Sequence, residues 1–252
     1  MDQIGKAKAF KALHVKGRPL VLYNIWDAGS AGAVAKAGAP ALATGSWSVA
    51  AAQGFADGEQ LPLVAALRTA REIVQAVDVP VSVDFEGGYA EDPARVGENA
   101  VALIETGAVG LNMEDRIVGG KGLHAPDVQA ARLAAIRARS DAAGVPFFIN
   151  ARTDVFFSGY EGDAVDLVPE AIARAKAYAD AGADGVFLPG LDDLALIAQL
   201  CEAIDLPVNV MRLSEAHDIE EIAKTGVARI SHGPAPYRAA MKALGAAAQA
   251  LY

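Results

Sequence analysis

The chain has 252 residues, the length of a single (β/α)8 barrel, and 53% of them are hydrophobic, enough for a large core without disulfides or a structural metal. A net charge of −9 argues against a nucleic-acid interface and against a surface for anionic membranes, both of which need a basic face. The single cysteine, Cys201, rules out a disulfide framework, and no stretch approaches the roughly 18 successive apolar residues of a membrane span, so the expectation is a soluble cytoplasmic protein.

The N-terminal segment, MDQIGKAKAFKALHVKG, alternates lysine with apolar residues at helical spacing and lacks the continuous apolar stretch of a signal peptide. The first β-like run follows Pro19 (PLVLYN), and a second is opened by a turn at Gly38 (AGAPALATG). Helical periodicity over Leu63–Val77 leads to a third run after Pro80 (PVSVDF) and a fourth at Gly107 (TGAVGLNME). The pattern then repeats: helix Ala130–Ala143, strand 5 after Pro146 (PFFINA), helix Glu170–Ala181, strand 6 at Gly182 (AGADGVFLP). It closes with helix Leu194–Ile204, strand 7 after Pro207 (PVNVM) and strand 8 at Gly226 (TGVARISHG).

The proline-opened runs are spaced by 61, 66 and 61 residues, so the chain divides into four βαβα quarters. Proline suits the first residue of a strand, where its missing N–H falls outside the ladder, and glycine suits the left-handed position that ends a helix. The runs are apolar on both faces, as in parallel strands covered on both sides. An open doubly wound sheet is the competing architecture. Eight strands with this spacing favour one closed (β/α)8 TIM barrel over residues 1–252.

In such barrels chemistry sits at the C-terminal ends of the strands. The segments leaving strands 2 to 5 are long, the one after strand 5 reading as loop as far as Pro169, whereas those after strands 6 to 8 read as short. A functional face over strands 2 to 5 is expected. Asp84 and Glu86 end strand 3 two residues apart, so both point the same way if the strand is still extended there. Glu114 and Asp115 stand at the same height on strand 4, and Asp57 follows strand 2. Converging carboxylates repel one another unless a cation or protons neutralise them, and Mg²⁺, with Mn²⁺ as substitute, suits an all-oxygen set. No His or Cys pair has zinc-ligand spacing. The alternative is that these acids cap helices or pair with Arg116 and Arg152.

Arg152 in NARTD offers a planar fork to a carboxylate or phosphonate, with a salt bridge to Asp154 or to a metal-site acid as the alternative. Thr44, Gly45 and Ser46 at the end of strand 2 could cradle an anion with backbone N–H groups and hydroxyls. The glycine-rich loop after strand 4 brings Lys121 and His124, as a closing lid would. His14 and His217 read as surface or interface residues, and His232, ending strand 8, could face the site.

WDAGSA, ATGS, GFADGEQL, VDFEGGY, GLNMED, NARTD, AYADAGADGVFLPG and PVNVM occur in this order over nearly the whole chain. Together they resemble the isocitrate lyase/phosphoenolpyruvate mutase superfamily. The resemblance implies that Asp84 contacts Mg²⁺ directly, that Glu86 and Glu114 hold it through water, and that Asp57 lies near. It implies substrate binding at Thr44, Gly45, Ser46, Arg152 and Asn209 (in PVNVM), and a homo-oligomer, dimer or tetramer, built by exchange of the last helix. The cysteine that lyases of this superfamily carry in the strand-4 loop is absent, since that loop reads Gly119-Gly120-Lys121-Gly122-Leu123-His124. Cys201, on a later helix, does not replace it. The phosphonopyruvate mutase branch places Asn and Ser in that loop, and residues 115–125 contain neither.

The expected activity is Mg²⁺-dependent cleavage of a carbon–carbon bond in a small anionic 2-oxo or 2-hydroxy (di)carboxylic acid, by a lyase or decarboxylase, through a pyruvate-type enolate. Arg152, His124, Lys121 and Asp57 are the candidate catalytic residues. The alternatives are carbon–phosphorus chemistry on a phosphonopyruvate-like acid and a catalytically silent 2-oxo-acid-binding barrel.

Overall fold

The computed structural model describes residues 1–157 and 162–252. Its strands are β1 (Leu20–Leu22), β2 (Leu42–Ala43), β3 (Val81–Asp84), β4 (Gly110–Glu114), β5 (Phe148–Arg152), β6 (Gly185–Leu188), β7 (Val208–Met211) and β8 (Arg229–Ser231). They pair in parallel in the order β2-β3-β4-β5-β6-β7-β8-β1. A parallel bridge between Ile25 and Thr44 joins β1 to β2 and closes the barrel. All eight expected strand openings are strands. Gly38, Gly107, Gly182 and Gly226 hold φ between +93° and +100°, the left-handed geometry expected where a helix ends and the next strand begins.

The helices among the described residues are α1 (Gln3–Ala12), α2 (Ala28–Lys36), α3 (Ser46–Ala52), α4 (Leu63–Ala76), α5 (Pro93–Ile104), α6 (Pro126–Ala142), α7 (Ala164–Asp180), α8 (Leu194–Ala203), α9 (Ile219–Lys224) and α10 (Ala235–Gln249). Side chains of Asp2, Asp27, Asp92, Asp193 and Asp218 accept N–H groups in the first turns, caps that stabilise each helix by about 1 kcal/mol. Several of the chain's acids are thus structural. Helix α7 begins six residues before the periodicity starts at Glu170, and Pro169 lies inside it. The loop after β5 is correspondingly shorter than the sequence reading, and residues 158–161 of it lie outside the described residues. No helix among the described residues is long and apolar enough to cross a membrane.

The period-two alternation of the strands sorts the core. Val186, Leu188, Val208, Val210 and Ile230 pack outward against Ala171, Ile197 and Leu200 of the helices. Their neighbours Arg152, Phe187, Met211 and Ser231 face the mouth of the barrel. Helix α1 closes the opposite end: Phe10 meets Phe148 edge-on and His14 stacks on Phe148 at 4.1 Å. His14 is therefore a packing residue and not a surface one. Burial pushes its imidazole down to about 3, with Arg229 adding to the effect, so it stays neutral.

Candidate active site

A cavity of about 330 Å³ opens at the C-terminal end of the barrel, the size of a small-ligand site. Gly45, Ser46, Asp57, Asp84, Asn112 and Arg152 line one side of it. Asp84 ends β3 in extended geometry, opposite Asn112 of β4. Its Oδ2 accepts from the Ser46 N–H at 3.0 Å and the Ser46 hydroxyl at 2.8 Å, while Oδ1 takes no donor among the described residues. Asp57 lies at the rim, its carboxyl pushed up by partial burial and then by the charge of Asp84.

Glu86 does not follow Asp84 onto the same face of a strand. β3 ends at Asp84, and Glu86 turns into the left-handed region at φ 48°, so the two-residue spacing no longer fixes direction. Its carboxylate instead shares with Asp84 a second cavity of about 20 Å³, room for one water. Burial first, then the charges of Asp84, Asp57 and Glu59, push it up to about 7. Glu114 is buried, its Oε2 2.9 Å from Nη1 of Arg152, and desolvation pushes its carboxyl up against the pull of that arginine. Asp115, the first residue past β4, faces the other way: it accepts from Tyr178 at 2.7 Å and Arg174 at 3.1 Å and ties the end of β4 to α7.

No three His, Cys, Asp or Glu side chains among the described residues converge on one ion-sized point. The donor set nonetheless fits a hard divalent cation. Asp84 lines the cavity with one oxygen that takes no donor among the described residues, Asp57 lines the same cavity, and Glu86 shares the one-water cavity with Asp84. Mg²⁺ is commonly held by one or two carboxylates with waters completing the shell. Glu114 lines neither cavity and is paired with Arg152.

The raised Glu86 carboxyl gives a pH dependence. Its folded value of about 7 lies above its ordinary 4.5, so its stabilising contribution is complete below 4.5 and is lost as pH rises through 7. Metal-free protein should lose about 1–3 kcal/mol of stability between pH 4.5 and 8 through this group. Denaturant unfolding in chelator should show the loss shrinking in Glu86→Gln.

Arg152 lines the cavity, and it makes the salt bridges that the sequence offered as the alternative to a ligand contact. Nε and Nη2 donate to Asp154 at 2.6 and 2.9 Å, and Nη1 pairs with Glu114. Two of its five N–H groups take no acceptor among the described residues. The nearby carboxylates outweigh the cost of burial and hold the guanidinium firmly charged.

The corner after β2 is shifted from expectation. The Thr44 N–H donates to Ser82, the Gly45 N–H to Ile25 and the Ser46 N–H to Asp84, so none is left for an anion. The Thr44 hydroxyl accepts from the Asp84 N–H, which makes Thr44 a support for Asp84. The open donors come with the start of α3: among the described residues the N–H groups of Trp47 and Ser48 take no acceptor, and the buried Ser48 hydroxyl has no partner. Asn209 is one layer deeper, its Oδ1 3.2 Å from the Ser231 hydroxyl and its Nδ2 unpartnered.

The strand-4 loop folds as a hairpin, with Arg116 bridged to Leu123 and the Ile117 N–H donating to Gly122. Lys121 and His124 line two separate cavities, not the one that holds Asp84. The other wall of the main cavity comes from β7, β8 and α10: Met211, Arg212, His232 and Arg238, the last with its guanidinium 4.7 Å from the Trp47 ring. The site therefore extends beyond strands 2 to 5. His232 faces it as the sequence allowed, whereas His217 lies by Glu221. Cys201 is buried in α8, and burial raises its thiol to about 11. Cys201→Ala should leave activity within about a factor of two, roughly 0.4 kcal/mol in barrier, as steady-state rates would show.

A family model described as phosphoenolpyruvate phosphomutase matches residues 10–252. The chain belongs to this family, within the isocitrate lyase/phosphoenolpyruvate mutase superfamily. A crystal structure from Burkholderia cenocepacia, provisionally assigned as a phosphonomutase, is 51% identical over 99% of this chain and 100% of its own, with a TM-score of 0.96. The 2-methylisocitrate lyase of Escherichia coli is 31% identical, covering 80% of this chain and 68% of its own. The oxaloacetate decarboxylase of Pseudomonas syringae pv. tomato is also 31% identical, covering 94% and 81%.

Proposed function

We propose that the chain is a magnesium-dependent lyase or decarboxylase, with manganese as an alternative ion. It would break a carbon–carbon bond of a small 2-oxo or 2-hydroxy (di)carboxylic acid and leave a pyruvate-type enolate. The observation that carries this reading is the open Oδ1 of Asp84 in a cavity that also presents Arg152. When bound, magnesium supplies a Lewis acid where the acid's 2-oxo oxygen gains charge. Ser46 fixes the rotation of the Asp84 carboxylate, and the two free N–H groups of Arg152 orient the substrate carboxylate. Trp47 and Ser48 present backbone N–H donors to the same anionic end, and Phe157, Phe187 and Met211 exclude water from the reacting carbon. Asp57 at the rim can hold or release a proton.

Decarboxylation needs no base to begin, which suits a strand-4 loop without cysteine and with His124 outside the main cavity. For a decarboxylase, His124→Ala should lower kcat by less than about tenfold; cleavage begun by a base on this loop would lose about 10²–10⁴-fold with little change in KM. A panel of 2-oxo acids, 2-hydroxy acids and phosphonopyruvate, followed for pyruvate release with Mg²⁺, tests the reading. Enzyme-dependent release from a carbon–carbon substrate is expected. Release from phosphonopyruvate alone would move the protein to carbon–phosphorus chemistry, the assignment carried by the 51% identical structure, and silence on all would leave a binding barrel. A cytoplasmic homo-oligomer, dimer or tetramer, is part of the proposal. The oligomer is supported by α10, where only Pro236 is buried while Met241 and Leu244 are exposed.

A further inference from the structure

The three non-glycine residues with left-handed backbones among the described residues, Glu59, Glu86 and Tyr89, form one bonded unit. The Glu59 N–H donates to Oε2 of Glu86 at 2.6 Å, and Oε1 of Glu59 accepts the Tyr89 N–H at 2.7 Å. The Tyr89 hydroxyl lies 3.4 Å from Oε1 of Glu86. The loop after β2 and the turn after β3 thus hold each other through reciprocal carboxylate contacts. Two more side chains hold the same turn by its carbonyls: Arg132 of α6, fully buried, donates to Gly87 and Ala90, and Asn99 of α5 donates to Gly88 and Tyr89.

Left-handed backbone is rarely adopted by residues with a side chain and persists where the surroundings over-determine it. A turn built only to connect β3 to α5 would take glycine at such positions, as it does at Gly88. Here the strained residues carry a carboxylate and a phenol that converge beside Asp84, because Glu86, Tyr89 and Asp84 line the same 20 Å³ cavity.

We propose that Glu59 is a positioning residue for the metal end of the site, holding the turn after β3 so that Glu86 faces Asp84. It does not itself line that cavity and acts through the N–H groups of the turn. The inference rests on the metal reading above. Its consequence is that divalent-ion affinity depends on a residue outside the shell of acids proposed to hold the ion, as supporting contacts around metal ligands commonly require.

The test is Mn²⁺ binding to the full chain, stripped with chelator and followed by the electron paramagnetic resonance signal of free Mn²⁺. Glu59→Ala should weaken binding about tenfold or more, within the 10–100-fold range of supporting contacts. Glu59→Gln, which keeps an acceptor for the Tyr89 N–H, should weaken it about threefold, with the metal-free melting temperature of each variant close to that of the wild type. Wild-type binding that persists unchanged in both variants overturns this proposal alone. If Glu59→Ala does not fold, unchanged affinity in Glu59→Gln has the same force. Absence of Mn²⁺ binding in the wild type overturns the metal reading and this proposal with it.

Discussion

Asp84→Ala is expected to lower turnover by about 10³-fold or more, roughly 4 kcal/mol in barrier, while leaving the fold in place. The carboxylate takes two donors from Ser46 and keeps its other oxygen open to the cavity. Its removal leaves the Ser46 N–H and hydroxyl facing a cavity that admits water, so little stability is lost with it. It also removes one of the charges that raise Glu86 and Glu114. Circular dichroism and melting curves should match the wild type within a few degrees while the rate falls to background. A variant that remains active would show that the ion, or the reaction, belongs elsewhere.

Arg152→Ala should be as severe for activity and, unlike Asp84→Ala, severe for stability. The guanidinium neutralises two buried carboxylates, Glu114 and Asp154, and removing one member of such a network costs about 3–5 kcal/mol because the other charges stay buried. Arg152→Lys should recover part of the stability, but one ammonium cannot reproduce contacts to both acids while presenting donors to a substrate, so activity should stay low. Urea unfolding and kcat/KM, measured on both variants, separate the two effects. A stable, active Arg152→Ala would remove the arginine from both roles.

The barrel was legible because its punctuation is chemical: proline opens four strands, and glycine at positive φ ends the helices before the other four. The site was legible as a set of residues and less so as an arrangement. Asp84 pointed where the strand sent it, whereas Glu86 did not, since β3 stops two residues before it and a non-glycine left-handed conformation leaves no mark in a sequence. Asp115 could have been separated from Glu114 by period two alone. At TGS, helix α3 begins on the final serine, so the sheet and Asp84 consume the expected N–H groups and the open ones fall on Trp47 and Ser48. Arg212 and Arg238 were missed because they reach the cavity from β7 and α10, where short connections gave no signal.

The central claim, a divalent ion held at Asp84 for bond cleavage, is tested most directly by calorimetric titration of Mg²⁺ into chelator-stripped protein. The wild type should bind at one site, and Asp84→Ala, folded, should show no saturable heat. Equal affinity in the two proteins would contradict the claim.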